Sequence, residues 1–226
     1  MSFAKKIGVA VLFVVFLSLG LFQFAVDPAP FRSWKIQGSV SVHEKYTTLH
    51  VTIHGNGQPV TGLNVSIMGH PAEDRGNGLY SCLVQECLAV PGSPLTVTMQ
   101  EKGVSGQLGL ALTAKITPVR SIVVNSPGDG AHIAADSGKL TASWAGGSSP
   151  YSLTVQEERQ PNDTVYSAQN LAGTTHQIPL AACTPGMEYL VNVFCKAGKF
   201  VFDHPVDPAS SFILIQRSPY VHIHVE

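Results

Sequence analysis

The chain has 226 residues, a formal net charge of −1 at pH 7, and only 13% charged residues. This balance provides no basic surface for nucleic acid and no charge pattern that favours an acidic substrate. The 21 glycines and 15 prolines favour many short strands joined by turns.

An uncharged apolar segment, residues 7–26, follows Lys5 and Lys6 and is the first element of the chain. At about 1.5 Å per residue, a helix of this length spans the roughly 30 Å hydrocarbon core of a bilayer. Since two lysines precede the segment and Asp27 is the first charge after it, residues 1–26 are predicted to be a cytoplasmic stub and a single transmembrane helix. The bulk of the chain would then lie on the periplasmic or extracellular side of the cell membrane.

A cleaved signal peptide is the alternative interpretation of this segment. Signal peptides have a shorter apolar core, about 7–15 residues, and small residues before the cleavage site. The best candidate site follows Ala25, but Gln23 occupies the position two residues earlier where a small side chain is preferred. We therefore expect an uncleaved anchor, followed by a proline-containing linker over residues 27–33.

Residues 34–117 contain short runs in which apolar and polar side chains alternate, separated by glycine-rich turns. One such run places Leu49, Val51 and Ile53 on one face and polar residues on the other. This period of two is typical of strands with one buried face. About seven such strands over this length predict a β-sandwich.

Two glycine-rich segments carry a resemblance to known modules. They are GNGQPVTGLNVSI, residues 55–67, and GNGLYSC, residues 76–82. They resemble motifs of bacterial immunoglobulin-like and transthyretin-like modules, which implies a β-sandwich fold but no particular activity. In that resemblance Pro59 and Gly62 shape a turn, and Tyr80 begins a later strand.

Residues 118–217 resemble a fibronectin type III module. The matching features are Trp144 at the end of an early strand, the P-Y-x-L-x-V pattern of residues 150–155, and L-x-x-x-x-P-G-x-x-Y-x-V-x-V over residues 180–193. The resemblance implies a second β-sandwich in which Trp144 fills the core and Tyr151 shares a strand face with two apolar residues. Tyr189 would be the corner tyrosine, whose hydroxyl bonds to nearby backbone.

No flexible spacer separates the two predicted sandwiches, so we expect them to abut with limited hinge freedom. Residues 218–226 alternate cleanly beyond the expected last strand of the second sandwich. We expect an extra strand or tail there, able to join a sheet edge in this chain or in a partner.

Outside the cytoplasm the four cysteines can form disulfides. Cys82 and Cys87 enclose four residues, which favours a bridge that closes a hairpin. In the fibronectin-like interpretation Cys183 and Cys195 lie at opposite ends of a strand, so a bridge between them requires the chain to fold back, and buried free thiols are the alternative. No CxxC spacing is present, so we do not expect the cysteines to bind a metal.

The histidines offer a different metal hypothesis. His222 and His224 lie on one strand face, about 6.6 Å apart along the strand, and can chelate copper or zinc if a third ligand approaches. His70, beside Met68, is a further candidate. A wet strand face that happens to carry histidines is the simpler alternative, and we expect no resident cofactor.

Catalytic signatures are missing from the sequence: there is no HExxH, no phosphate-binding loop, no dinucleotide-binding glycine motif and no nucleophile elbow. We therefore expect a non-enzymatic, membrane-anchored binding and scaffolding protein with neither nucleic acid nor a small-molecule substrate as its partner. Its expected partners are the lipid bilayer and the membrane proteins of a larger complex, of the respiratory or photosynthetic kind, in which it is an accessory subunit. A periplasmic copper- or zinc-handling protein is the first alternative, and an adhesin or carbohydrate-binding module is the second.

Overall fold

The computed structural model describes residues 31–102 and 109–226. The predicted stub and transmembrane helix over residues 1–26 lie outside these ranges. Across the part of the chain that is described, no helix has both the length and the apolar character needed to cross a bilayer. The described residues form strands and two short 3-10 helices, Ala135–Ser137 and Leu180–Ala182, which confirms the predicted all-β class.

The strands of the first half, in chain order, are β1 (Trp34–Val42), β2 (Thr47–Gly55), β3 (Gln58–Pro59), β4 (Asn64–Ile67), β5 (His70–Pro71), β6 (Glu73–Asp74), β7 (Leu79–Val84), β8 (Leu95–Gln100) and β9 (Ala111–Ile116). Those of the second half are β10 (Val123–Ser126), β11 (Ala131–Ile133), β12 (Lys139–Ala145), β13 (Tyr151–Glu157), β14 (Gln160–Leu171), β15 (Thr175–Pro179), β16 (Met187–Lys199), β17 (Val201–Phe202), β18 (Ser211–Arg217) and β19 (Val221–Val225).

Alternation along each strand produces its buried face. In β8, for example, Leu95, Val97 and Met99 are buried, and the threonines between them are partly exposed. Successive side chains of a strand point to opposite faces of the sheet, so this spacing directs one row into the core and the other toward solvent.

The first sandwich packs the strands β6-β7-β2-β1-β18 against a five-stranded sheet in the order β17-β9-β8-β4-β5. Its core is formed by apolar side chains from both sheets. Phe31, within the predicted linker of residues 27–33, is buried in this core with its ring 4.8 Å from that of Trp34. The folded part of the chain therefore begins at or before the end of the predicted linker.

The second sandwich packs the three-stranded sheet β10-β12-β15 against the strands β14-β13-β16-β19-β11. Its core is separate from the first and includes Trp144 of β12, Leu153 of β13 and Val191 of β16. Apart from the parallel pair β11–β19, the sheets of the second sandwich are antiparallel, and two such sheets facing each other around one core are the architecture shared by immunoglobulin-like and fibronectin type III domains.

One long strand, β16, belongs to both sandwiches. Its residues 187–191 pair with β19, and its residues 194–199 pair with β18. Since β13 occupies the other edge of β16, β18 and β19 lie end to end along the same edge. β16 with its partners β18 and β19 thus forms one long two-stranded ribbon. The β16–β19 part of the ribbon completes the second sandwich. The β16–β18 part belongs to the first sandwich, where β18 pairs in parallel with β1.

This path differs from the predicted division at residues 34–117 and 118–217. Phe200, Phe212 and Leu214 pack in the first core, so residues 200–217 complete the first sandwich rather than end the second. The last strand of the second sandwich is β19, within the segment 218–226 that was predicted as an extra strand or tail. Burial of Phe200, Phe212 and Leu214 in the first core favours the return of the chain to the first sandwich before β19.

Candidate functional site

A groove of about 590 Å³ crosses the outer face of the joined sheet, where the two sandwiches meet. Its lining comes from strands of both units and from the segment that connects β18 to β19. The residues that line it are Ser41, His43, Thr48, His50, Thr154, Gln156, Phe194, Arg217 and Tyr220. We refer to it as the junction groove.

Beside the groove, Asn192 and Ser218 hold the ribbon at the point where β18 ends and β19 has not yet begun. Both residues are almost fully buried. The Asn192 side-chain amide donates to the Ser218 carbonyl at 2.8 Å, and the Val193 N–H donates to the Ser218 hydroxyl at 3.0 Å. The Ser218 N–H in turn donates to the Val193 carbonyl at 2.8 Å. These bonds satisfy the buried polar groups of an interrupted strand pairing and fix its geometry.

Three side chains supply the binding chemistry of the junction groove. The Arg217 guanidinium lies 4.6 Å from the centre of the Phe194 ring, a cation–π arrangement, and donates to the Asn192 side-chain oxygen at 3.4 Å. Tyr220 is 37% exposed and lines the groove. The groove thus presents a cation and two aromatic rings on a floor of backbone-paired strands.

His43 contributes a neutral ring to this surface. Its imidazole stacks on the Tyr46 ring with centroids 4.0 Å apart. Burial first, and the positive charge of Arg217 second, together lower the pKa of His43 from 6.5 to about 4. At neutral pH Arg217 therefore supplies positive charge to the groove while His43 does not.

A second cluster lies where the edge strand β11 pairs with β19 in the second sandwich. His132 of β11 and His224 of β19 are directly paired in the parallel register, with ring centroids 5.2 Å apart. The His132 Nδ1 is 2.6 Å from the Glu226 Oε1. One ligand atom from each of these three residues lies within 4.8 Å of the others, which makes them a possible metal-binding group.

The structure divides the two histidines that the sequence analysis proposed as a chelating pair. His224 joins the cluster, whereas the His222 Nδ1 lies 3.2 Å from the Glu158 Oε1. His70 is elsewhere, with its Nε2 3.1 Å from the Glu86 Oε1. Sequence reasoning missed His132, because its only local signal is a short apolar alternation around it, and its nearness to His224 results from strand pairing.

All four cysteines are free thiols in the structure, so neither considered disulfide is present. Cys82 faces the first core from β7, whereas Cys87 is exposed and its sulfur lies 3.8 Å from the Ala89 carbonyl oxygen. Cys183 and Cys195 are both buried in the second core, where they act as small apolar side chains. Burial raises the pKa of the Cys82 and Cys183 thiols, which makes both less reactive.

The three aromatic residues singled out in the second sandwich have structural environments. Trp144 and Tyr151 are buried with their rings edge to face, centroids 5.5 Å apart. The Tyr151 hydroxyl donates to the Gly146 carbonyl at 2.8 Å. The Tyr189 hydroxyl accepts from the Thr184 N–H at 2.6 Å, which ties the turn before β16 to the core.

Comparison with known proteins gives only distant likenesses. No family model matches the sequence, and no curated protein matches it. Among solved structures, a chimeric titin Z1Z2-Z1Z2 tandem is 15% identical, with 85% of this chain and 96% of that chain covered and a TM-score of 0.26. The chicken CNTN1 FN1-FN3 domains are 12% identical over 88% of this chain and 66% of that one, with a TM-score of 0.27.

A third solved structure, the BSP domain of a biofilm-associated protein, is 14% identical over 79% of this chain and 30% of that chain, with a TM-score of 0.26. The two-sheet architecture of each sandwich is instead read from its own strand order. At TM-scores this far below 0.5, the likenesses assign neither a function nor a partner to this chain.

Proposed function

We propose that this chain is a non-enzymatic binding and scaffolding protein that holds a partner protein in the junction groove. The observation that carries the proposal is the combination of Arg217, Phe194 and Tyr220 in one groove at the junction of two interlocked sandwiches. Arginine and aromatic side chains are enriched among the residues that dominate protein–protein binding energy.

Rigidity of the groove supports the same role. The groove walls come from β1 and β2 on one side and β13 and β16 on the other, and all four strands belong to one hydrogen-bonded sheet. A surface that is already ordered loses little conformational entropy when a partner binds. The groove therefore suits a partner that is held in a defined orientation.

The charge of the groove indicates the chemistry of the partner. Arg217 is positively charged and His43 is neutral at pH 7, with its pKa lowered to about 4. A segment bearing a carboxylate beside an apolar or aromatic side chain complements this arrangement, because the carboxylate can pair with the guanidinium while the apolar group packs on Phe194 and Tyr220.

The cellular setting is part of the proposal and rests on the N-terminal segment. Twenty uncharged residues after two lysines support a single-pass anchor, with the N-terminus in the cytoplasm and both sandwiches on the periplasmic or extracellular side. Held at that surface, the chain would serve as an accessory subunit of a larger membrane complex, of the respiratory or photosynthetic kind.

The test is purification of the full chain from native membranes after mild crosslinking, with mass spectrometry of the proteins that accompany it. Wild type is compared with Arg217→Ala and Tyr220→Ala, and Arg75→Ala serves as the control because Arg75 pairs with Glu73 on the exposed surface, away from the groove. We expect one set of membrane proteins with wild type and the control, and its loss with both groove variants.

Two results would contradict the proposal. One is a wild-type chain that is recovered alone, and the other is a partner that is retained equally by Tyr220→Ala and wild type. Since Arg217 also contacts Asn192, thermal unfolding of each variant shows whether a lost partner reflects a lost fold. Tyr220 is a more exposed position, so its variant separates binding from stability.

A further inference from the structure

We propose that His132, His224 and Glu226 form a binding site for one divalent transition-metal ion, Zn²⁺ or Cu²⁺, on the outer face of the second sandwich. This site is independent of the junction groove and of the partner proposed for it. Two imidazoles and one carboxylate are ligands that both ions accept.

The backbone holds the three ligands in place before any ion arrives. β11 and β19 pair in register, with His132 opposite His224. The Glu226 N–H donates to the Ile133 carbonyl at 2.9 Å, and the Ala135 N–H donates to the Glu226 carbonyl at 2.9 Å. Binding of a metal ion therefore requires only rotation of the three side chains, without a rearrangement of the strands.

The size of that rotation is small. The three ligand atoms lie within 4.8 Å of one another. With bonds of about 2.0–2.1 Å, a tetrahedral ion needs its ligand atoms roughly 3.4 Å apart. His132 and Glu226 are exposed, so their side chains can move to this spacing without disturbing a packed core.

The charge around the cluster favours a cation. Glu226 brings one negative charge to two imidazoles. Glu188 of β16 is paired with His224 across the other edge of β19 and adds a second carboxylate nearby. The His132 Nδ1 and the Glu226 Oε1 are within hydrogen-bond distance at 2.6 Å, and both side chains are exposed. Exposed pairs of this kind contribute little to stability, so an ion can replace it at low cost.

The ligand types also predict selectivity. Ca²⁺ and Mg²⁺ require mainly oxygen ligands, whereas imidazole nitrogen suits Zn²⁺ and Cu²⁺. Three protein ligands leave a coordination position for water. We therefore expect one ion per chain and no displacement by Ca²⁺.

The experiment is calorimetric titration of the full chain, prepared without a polyhistidine tag, with Zn²⁺ and then with Cu²⁺. The variants are His132→Asn and His224→Asn, and the matched control is His222→Asn, two residues away on the same strand face but paired with Glu158. Since even an indirect partner of a ligand contributes about 10–100-fold to metal affinity, each ligand variant should weaken binding at least about tenfold. The control should bind like wild type.

Electron paramagnetic resonance of the Cu²⁺-loaded wild type is the second readout, and it does not depend on any variant folding. We expect a single species with two nitrogen ligands. The proposal is overturned by the absence of one-to-one binding, by equal losses in His222→Asn and His224→Asn, or by competition from Ca²⁺ at equal concentration.

Discussion

At the scale of single residues, two tyrosine hydroxyls tie loops to the cores of the two sandwiches. The Tyr80 hydroxyl accepts from the Leu63 N–H at 3.1 Å and donates to the Val60 carbonyl at 3.0 Å. Tyr189 makes the corresponding contact with Thr184 in the second sandwich. Each bond satisfies backbone groups at a turn where no neighbouring strand can do so.

Replacing Tyr80 with phenylalanine removes one of these ties and keeps the ring. The buried Leu63 N–H is left without its partner, so we expect the free energy of unfolding to fall by about 1–3 kcal/mol. Urea denaturation measures the change, and Tyr220→Phe at the exposed groove is the control. Equal stability of Tyr80→Phe and wild type would show that this hydroxyl is not needed.

His43 links stability to pH. Its folded pKa, about 4, is below the usual 6.5, mainly because of burial and then because of Arg217. Between pH 6.5 and pH 4 the unfolded state therefore binds a proton on His43 that the folded state does not. The contribution of neutral His43 to folding stability is complete above pH 6.5, declines as the pH falls toward 4, and does not change further below pH 4. For a half-buried ring screened by solvent, we expect a loss of about 1–2 kcal/mol across this window.

The measurement for His43 compares unfolding free energies of wild type and His43→Gln between pH 7.5 and pH 4. Glutamine does not titrate, so the wild-type curve should fall more steeply through the window by the amount given above. Parallel curves for the two proteins would mean that the imidazole is equally basic in both states.

At the scale of elements, the decisive feature is the interruption between β18 and β19. Gln216 is buried just before it, and its side-chain amide donates to the Val119 carbonyl at 3.0 Å, which ties the segment that joins the two sandwiches. Ser218 then bonds across to Asn192 and Val193 of β16. These contacts let the chain pass from β18 of the first sandwich to β19 of the second without leaving buried backbone groups unpaired.

Ser218→Ala tests this element. Loss of the hydroxyl leaves the Val193 N–H without its acceptor at a buried position, and we expect destabilisation of about 1–3 kcal/mol in chemical denaturation. Ser211→Ala, at the exposed start of β18, is the control and should change stability by less than about 0.5 kcal/mol. If the two variants behave alike, the interruption is not held by Ser218.

At the scale of the whole molecule, the two sandwiches are not independent tandem domains. The chain enters the second sandwich after β9, returns to the first for β17 and β18, and returns again for β19. Each core contains side chains from segments far apart in sequence. We expect the two cores to unfold in one cooperative step, because opening either one removes strands from the shared ribbon.

The chain offers a direct reporter for each core. Its two tryptophans are divided between them, Trp34 in the first and Trp144 in the second. In Trp144→Phe fluorescence follows the first core alone, and in Trp34→Phe it follows the second. We expect fluorescence and far-ultraviolet circular dichroism to give the same midpoint within each variant, whereas a separate earlier transition of either core would contradict a shared unit.

Much of the fold could be predicted from local pattern. The alternation of Leu49, Val51 and Ile53 specified a strand and its buried face, since side-chain direction in a strand depends only on position along it. The resemblance to sandwich modules was likewise carried by motifs within single strands and turns. The candidate site is less predictable: the sequence predicts His224 as a ligand, but it does not point to His132 or Arg217.

The sequence by itself determined the all-β class, the positions of most strands and the apolar N-terminal segment, because these depend on hydrophobic spacing between near neighbours. Only the tertiary structure decided that β18 joins the first sandwich, that β19 completes the second, and that His132 meets His224. Strand partners are chosen by burial and hydrogen bonding across long sequence separations. Phe212 and Ile223 show similar apolar alternation in the sequence, although they belong to different cores.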